Sequence, residues 1–285
     1  MSEISLITIV KGRREHLRNL MRGVAAQQLR PDELIIVFMN EAATDRLPDP
    51  GCKVYTDSLF DPDHELPLAA ARNRAATLAS GRILAFLDVD CIPAPDYLRL
   101  LHAAVQRTHG LLMGDVRYLP EGATPDEWTA ATLEERSLAH PRRPVIPPDR
   151  DLITLPYHLF WSLTFGIMAE DFARLGGFDG GYQGYGGEDT DFAFTARQVR
   201  LPPYVCRARA YHQFHPTYSP PYNHLEDIVA NATRFHDKWQ VWPMEGWLKK
   251  FAEQGYIDWQ PHVIRLLKAP APETVAAART ADPFG

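Results

Sequence analysis

Three apolar runs, Ile4–Val10, residues 34–38 and Ile83–Leu87, recur through the N-terminal part of the chain with helix-period sequence between them. A strand covered on one face alternates apolar and polar residues. A continuous apolar run of this length suits a strand buried on both faces, as in parallel sheets with helices above and below. Leu17, Leu20, Met21 and Val24 follow the first run at helical spacing. Residues 68–79 are alanine-rich and helical, ended by Gly81, and Tyr97–Arg107 reads as another helix. Val54 and Tyr55 suggest a short further strand. This alternation predicts an α/β fold with a mostly parallel central sheet flanked by helices. Ligands of such sheets bind beyond the carboxyl ends of the strands. Three polar clusters stand at those ends: Lys11, Arg13 and Arg14; Asn40 and Glu41; and Asp88-Val89-Asp90.

The later sequence is less regular. Leu111–Tyr118 reads as a strand and 126–138 as an exposed helix. Pro141, Pro144, Pro147, Pro148 and Pro156 mark a long loop carrying Arg142, Arg143 and Arg150. Its length and arginines suggest a cover over a bound ligand. Residues 160–168 are predicted to form a strand, 188–199 a helix with an acidic first turn, 204–211 a strand, and Leu225–Trp239 a helix. We divide the chain at 1–110, 111–240 and a tail at 241–285.

Composition excludes several classes. Of 285 residues, 45% are apolar and 23% charged, with a net charge of −6, which leaves no electrostatic footprint for nucleic acid. The three cysteines, Cys52, Cys91 and Cys206, lack the spacing of a disulfide framework or a zinc site. That suits a reducing compartment, and we expect a cytoplasmic protein. No apolar stretch approaches the ~20 residues of a membrane span, although peripheral membrane contact remains compatible.

The chemistry concentrates in four groups. In an extended segment Asp88 and Asp90 point the same way, and two carboxylates so placed repel unless a cation lies near them. Hard divalent ions accept such oxygens and keep positions open for phosphate. Gly186-Gly187 lets the backbone approach a ligand, and Glu188 and Asp189 at the following helix start can be aimed into a cleft as a general base. His212 and His215 follow a predicted strand and are able to complete a metal site begun at Asp88 and Asp90. Lys11, Arg13, Arg72 and Arg74 suit a diphosphate, but residues two apart on a helix diverge, so only one of Arg72 and Arg74 is expected at the site. Each group also has an ordinary alternative: solvated strand-end acids, a helix cap, packed histidines and surface cations.

Taken together these residues resemble the family 2 glycosyltransferases. Ala71-Arg72-Asn73, Ala79-Ser80-Gly81 and the strand into Asp88-Val89-Asp90 carry the likeness. Gly176-Gly177-Phe178-Asp179, followed by Tyr185-Gly186-Gly187-Glu188-Asp189, is similar to β1,4-galactosyltransferases and polypeptide N-acetylgalactosaminyltransferases. The resemblance implies a GT-A-type, Rossmann-like fold with a smaller mixed acceptor-side region. It implies an inverting transfer of a hexose from a nucleotide-sugar, a UDP-sugar, to a hydroxyl acceptor. Mn²⁺ or Mg²⁺ would be held by Asp90, with Asp88 on ribose or metal and His212 or His215 as the remaining ligand, His212 being preferred. Asp189 would be the base and Glu188 would orient the acceptor, with Asn40 or Glu41 nearby. Lys11, Arg13, Asn40, Glu41, Arg72, Asp88, Asp90 and Gly187 would form the donor site. The chain departs from its relatives at Val10-Lys11-Gly12-Arg13-Arg14, at Asn40, and at Tyr185, where a tryptophan is usual. The same residues are compatible with two rival readings. A nucleotidyltransferase would release pyrophosphate from a nucleoside triphosphate, and a non-catalytic nucleotide-sugar-binding module would not hydrolyse its ligand.

Overall fold

The computed structural model describes residues 3–44, 46–125 and 127–284. The chain runs β1 (Ile4–Val10), α1 (Arg14–Ala25), β2 (Glu33–Met39), β3 (Lys53–Leu59), α2 (Leu68–Leu78), β4 (Ile83–Leu87), β5 (Cys91–Pro93) and α3 (Tyr97–Arg107). It continues through β6 (Leu111–Tyr118), α4 (Ala130–Arg136), β7 (Leu138–Ala139), β8 (Leu152–Thr154), β9 (Thr164–Met168), α5 (Ala169–Leu175), α6 (Glu188–Gln198) and β10 (Pro203–His212). The remainder holds β11 (Thr217–Tyr218), α7 (Leu225–Trp239), α8 (Glu245–Glu253), the hairpin β12 (Ile257–Gln260) and β13 (Val263–Leu266), α9 (Pro272–Ala277) and β14 (Arg279–Thr280). Among the described residues no helix is long and apolar enough to cross a membrane.

The central sheet has the order β3-β2-β1-β4-β9-β6-β10-β5. β3, β2, β1 and β4 are parallel, β9 is reversed between β4 and β6, and β6 and β10 are again parallel. The six long strands therefore point one way, as the apolar runs imply. The reversal at β9 is not legible in the run itself, because a strand buried on both faces carries no mark of its direction.

The two faces explain the runs. Ile7 and Ile9, Ile35, Val37 and Met39, and Leu84 and Phe86 enter one core with α2, α5 and α6. Their alternate neighbours Leu6 and Val10, Leu34, Ile36 and Phe38, and Ile83, Ala85 and Leu87 enter a second core with α1 and α3. Each strand thus keeps period two while both faces stay dry. The first core centres on stacked rings: Phe86 on Phe165 at 4.6 Å, and Phe178 on Phe192 at 4.4 Å. Such pairs contribute about 0.5–1.5 kcal/mol each beyond their burial. A third core lies under α7, α8 and the β12–β13 hairpin.

Several predicted bounds move for local reasons. The strand expected at 160–168 begins at Thr164, because Tyr157–Leu159 forms a single 3-10 turn after Pro156 and Phe160 leaves it extended. The helix expected at 126–138 runs from Ala130 to Arg136, where Thr129 and Thr132 form a reciprocal cap. Its expected start, Asp126, lies outside the described residues. β3 is longer than Val54 and Tyr55 suggested, since it pairs with β2 over its whole length. Gly81 does not terminate α2. A Cβ there would meet the Ser5 backbone nitrogen at 2.6 Å, so the residue permits the close approach of this turn to β1.

Asn73 joins the two halves of the sequence. Its Nδ2 donates to the Phe178 carbonyl at 2.7 Å, and its Oδ1 accepts from the Phe178 amide at 2.8 Å. Gly177 has φ +73°, and a Cβ there would fall 2.5 Å from the Asn73 oxygen. Asn73→Ala should therefore destabilise the fold by about 1–3 kcal/mol, since two backbone groups lose their partner. Urea denaturation of the wild type and variant measures this, and an unchanged midpoint would refute the link.

Candidate active site

The strand ends converge as the sheet order requires. β4 delivers Asp88-Val89-Asp90, and the short β5 then turns antiparallel onto the end of β10, setting His212 opposite Cys91. The Gln213 amide continues that pairing by donating to the Asp90 carbonyl at 2.6 Å. One ligand atom from each of Asp90, His212 and His215 falls within 4.8 Å of the others. His215 Nε2 stands 3.6 Å from Asp90 Oδ2, which also takes the Arg13 guanidinium. Asp90 Oδ1 is buried with no hydrogen-bond partner.

This set fits a divalent cation. A buried carboxylate oxygen without a partner is costly, and a cation beside it removes that cost. Burial pushes His212 well below the ordinary histidine range. Burial, reinforced by the Arg13 charge, lowers His215 to about 4. Both rings are neutral near pH 7 and keep the lone pair that ligates. The mixed nitrogen and oxygen donors suit manganese, zinc or iron-type ions.

A second cluster adjoins the first. Arg72, almost fully buried, donates through Nη2 to Asp88 Oδ1 at 3.2 Å and through Nη1 to Glu188 Oε1 at 3.0 Å. Its guanidinium lies 5.3 Å over the Phe178 ring. Arg74 faces outward and pairs with Asp57. Burial pushes the Asp88 carboxyl up against the pull of Arg72. Gly187, at φ +93°, caps α6 and turns Glu188 and Asp189 inward. Asp189 Oδ1 accepts from the Thr190 amide at 2.6 Å. Desolvation, then the neighbouring Glu188 charge, pushes Asp189 up to about 7.

The other sequence candidates sit at the rim. Glu41 Oε1 accepts from the Gly12 amide at 3.0 Å and so braces the turn carrying Lys11 and Arg13. Asn40, at φ +51°, uses its amide to hold the loop backbone at Asp61, His64 and Glu65. Arg143 of the proline-rich loop lies 3.6 Å over Trp161, and burial lowers its pKa to about 10. Tyr185 stacks on His224 at 4.5 Å.

Sequence reasoning missed Tyr118, His140 and Gln213. Tyr118 ends β6 in register with His212 and packs on its ring at 4.9 Å. His140 also packs on Tyr118, at 5.3 Å, and against Trp161. Neither has a local motif. The adjacency of β6 and β10 brings Tyr118 to the site, and β7, paired with the end of β6, brings His140 beside it.

The sequence profile of glycosyl transferase family 2 matches residues 5–159, more than half of the chain. The chain belongs to glycosyl transferase family 2. A second profile, described as the N-terminal domain of galactosyltransferase, matches residues 150–215. Two validoxylamine A glucosyltransferases of Streptomyces hygroscopicus, from subspecies limoneus and jinggangensis, are 27% and 26% identical over 231 residues. Those matches cover 72% of this chain but 51% and 54% of the relatives, so the chain spans about half the length of the curated relatives it matches. GalNAc-T7, crystallised with UDP, GalNAc and Mn²⁺, superposes with a TM-score of 0.54 at 15% identity, covering 89% of this chain and 57% of that one. Residues 1–349 of S. aureus TarS, in complex with UDP, give 0.51 at 14% identity over 82% of this chain and 66% of that one. These likenesses show the fold, an α/β architecture shared with GT-A glycosyltransferases.

Asp189 also leaves a mark on stability. Its folded pKa lies above its unfolded value, so the folded state holds the proton more tightly and stability falls as pH rises from about 4 to about 7. Asp189→Asn removes that loss. The variant should melt higher than the wild type at pH 8, with the gain shrinking toward pH 4. Parallel melts across this range test it, and a pH-independent difference would contradict the raised carboxyl.

Proposed function

We propose that this chain transfers a hexose from a UDP-sugar to a hydroxyl acceptor with inversion at the anomeric carbon. The observation that carries the reading is Arg72, which ion-pairs Asp88 of the donor-side segment to Glu188 beside Asp189. The donor-side acids and the candidate base thereby share one buried centre. The GalNAc-T7 and TarS likenesses, with UDP in both, support a nucleotide-sugar donor.

In this reading Asp90, His212 and His215 would hold Mn²⁺ or Mg²⁺, which would supply positive charge to the leaving diphosphate. Arg13 and Lys11 add positive charge beside it, and Asp88 faces the ribose. Asp189 takes the proton of the acceptor hydroxyl as its oxygen bonds to the anomeric carbon and the bond to the diphosphate oxygen breaks. A base held near pH 7 is well matched to that transfer. Glu188, fixed by Arg72, orients the acceptor, and Gly187 at φ +93° starts the helix that presents it. The loop around Arg142 to Pro148 closes over the donor, supported by the position of Arg143.

Calorimetric titration of UDP, GDP and CDP with and without Mn²⁺ tests the donor half. UDP should bind only with metal, and Asp90→Ala should abolish that metal-dependent binding. If no nucleoside diphosphate binds under any metal condition, the transferase reading fails.

Asp189→Asn should lower turnover by about 10²–10⁴-fold with UDP affinity nearly unchanged. Turnover of the wild type should rise as pH climbs through about 7. Full activity in the variant would assign the base elsewhere.

A further inference from the structure

Between the two histidines of the cation triad lies Gln213, whose side chain is 2% exposed. Every polar atom of that amide is placed. Nε2 donates to the His16 carbonyl of α1 at 3.0 Å and to the Val89 carbonyl at 3.4 Å, while Oε1 accepts from Asn19 Nδ2 at 2.8 Å. The backbone amide of the same residue donates to the Asp90 carbonyl at 2.6 Å. One residue, on the turn between the end of β10 and His215, thus touches both α1 and the Asp88–Asp90 turn.

The orientation of the amide is itself set from outside. Asn19 presents its nitrogen to Gln213 because its Oδ1 is occupied by the Trp128 indole N–H at 2.8 Å. Trp128 in turn carries Arg22 over its ring at 4.5 Å. In addition, His16 Nε2 contacts the Phe214 carbonyl at 3.1 Å, so α1 holds the turn at both Gln213 and Phe214. An amide has a donor end and an acceptor end, and this chain of partners accepts only one of its two orientations.

The geometry points to Gln213 as a positioning residue for the cation triad, with Asn19 and Trp128 fixing its amide. The inference rests on reading Asp90, His212 and His215 as a cation site. His212 closes β10, paired with Cys91 and Tyr118, while His215 lies on the turn beyond that strand and Asp90 on the turn after β4. Regular pairing alone does not hold such turns at ligand spacing. Gln213 ties both to the rigid helix α1, which is the role that partners behind the ligands play in metal sites.

Gln213→Leu removes the amide but keeps the backbone donor. Trp128→Phe removes only the indole N–H while retaining a ring under Arg22. Asn19→Asp keeps the acceptor for Trp128 and loses the donor to Gln213. Mn²⁺ affinity is read by electron paramagnetic resonance in the presence of UDP. Hydrogen exchange of the peptide spanning 209–216 is read by mass spectrometry without metal. Gln213→Leu should weaken Mn²⁺ binding by about 10- to 100-fold and accelerate exchange. Trp128→Phe and Asn19→Asp should move both readouts the same way by less, and they carry the test if Gln213→Leu does not fold. Leu101→Ala, a core truncation in α3, should lower the melting temperature and change neither readout.

Faster exchange with unchanged Mn²⁺ affinity would overturn the positioning role, and so would unchanged exchange in all three variants. A wild type that binds no Mn²⁺ with UDP would sink the cation reading instead. The tie between the two turns is then judged by exchange alone.

Discussion

The site depends on one buried guanidinium. Asp88, Asp90, Glu188 and Asp189 converge where the two halves of the sequence meet, and carboxylates this close repel and resist ionisation away from water. Arg72 offsets that cost for Asp88 and Glu188 together, and Arg13 does so for Asp90. A buried ion pair is not by itself a source of stability, and its removal leaves unpaired charge. Asp189, which accepts from Thr190, is pushed up to about 7 by desolvation and then by the Glu188 charge, against the pull of Arg72.

Beneath the charges the same helix supplies the mechanical link. Arg72 and Asn73 are adjacent on α2. One reaches the acids and the other bonds the Phe178 backbone on both its polar groups. Phe178 stacks on Phe192 of α6, the helix that starts with Glu188. The Gly176–Asp179 motif is therefore a packing device, and it sets the depth at which the acidic first turn of α6 enters the site. Gly177 at positive φ is needed because the Asn73 oxygen occupies the space of a side chain. The Gln213 network plays the corresponding part on the opposite side, for the turns that carry Asp90 and the histidines.

Much of this was legible in sequence, for identifiable reasons. The apolar runs of β1, β2 and β4 are so hydrophobic that nothing but a doubly covered strand accommodates them, and Asp88-Val89-Asp90 at the end of such a strand lies where ligands collect. Divergence of residues two apart on a helix separated Arg72 from Arg74 before any coordinates. Other features were invisible. The reversed direction of β9 leaves no trace in its composition. The roles of Asn40 and Glu41 as braces for neighbouring loops follow from contacts with Asp61, His64, Glu65 and Gly12 that no local pattern encodes.

The sequence by itself determined the long apolar strands and the main helices around them, and which carboxylates and histidines stand near strand ends. Periodicity and chain-local chemistry are written along the chain, and the membership in glycosyl transferase family 2 rests on those same motifs. The tertiary structure alone decided which of them meet. Tyr118 reaches His212 only because β6 lies beside β10, and Asp90 reaches His215 only because β5 turns back onto the end of β10. Asp189 acquires its raised carboxyl only when desolvated next to Glu188. Proximity and desolvation are properties of the packed chain, because they arise between residues far apart in sequence and vanish when the chain is extended.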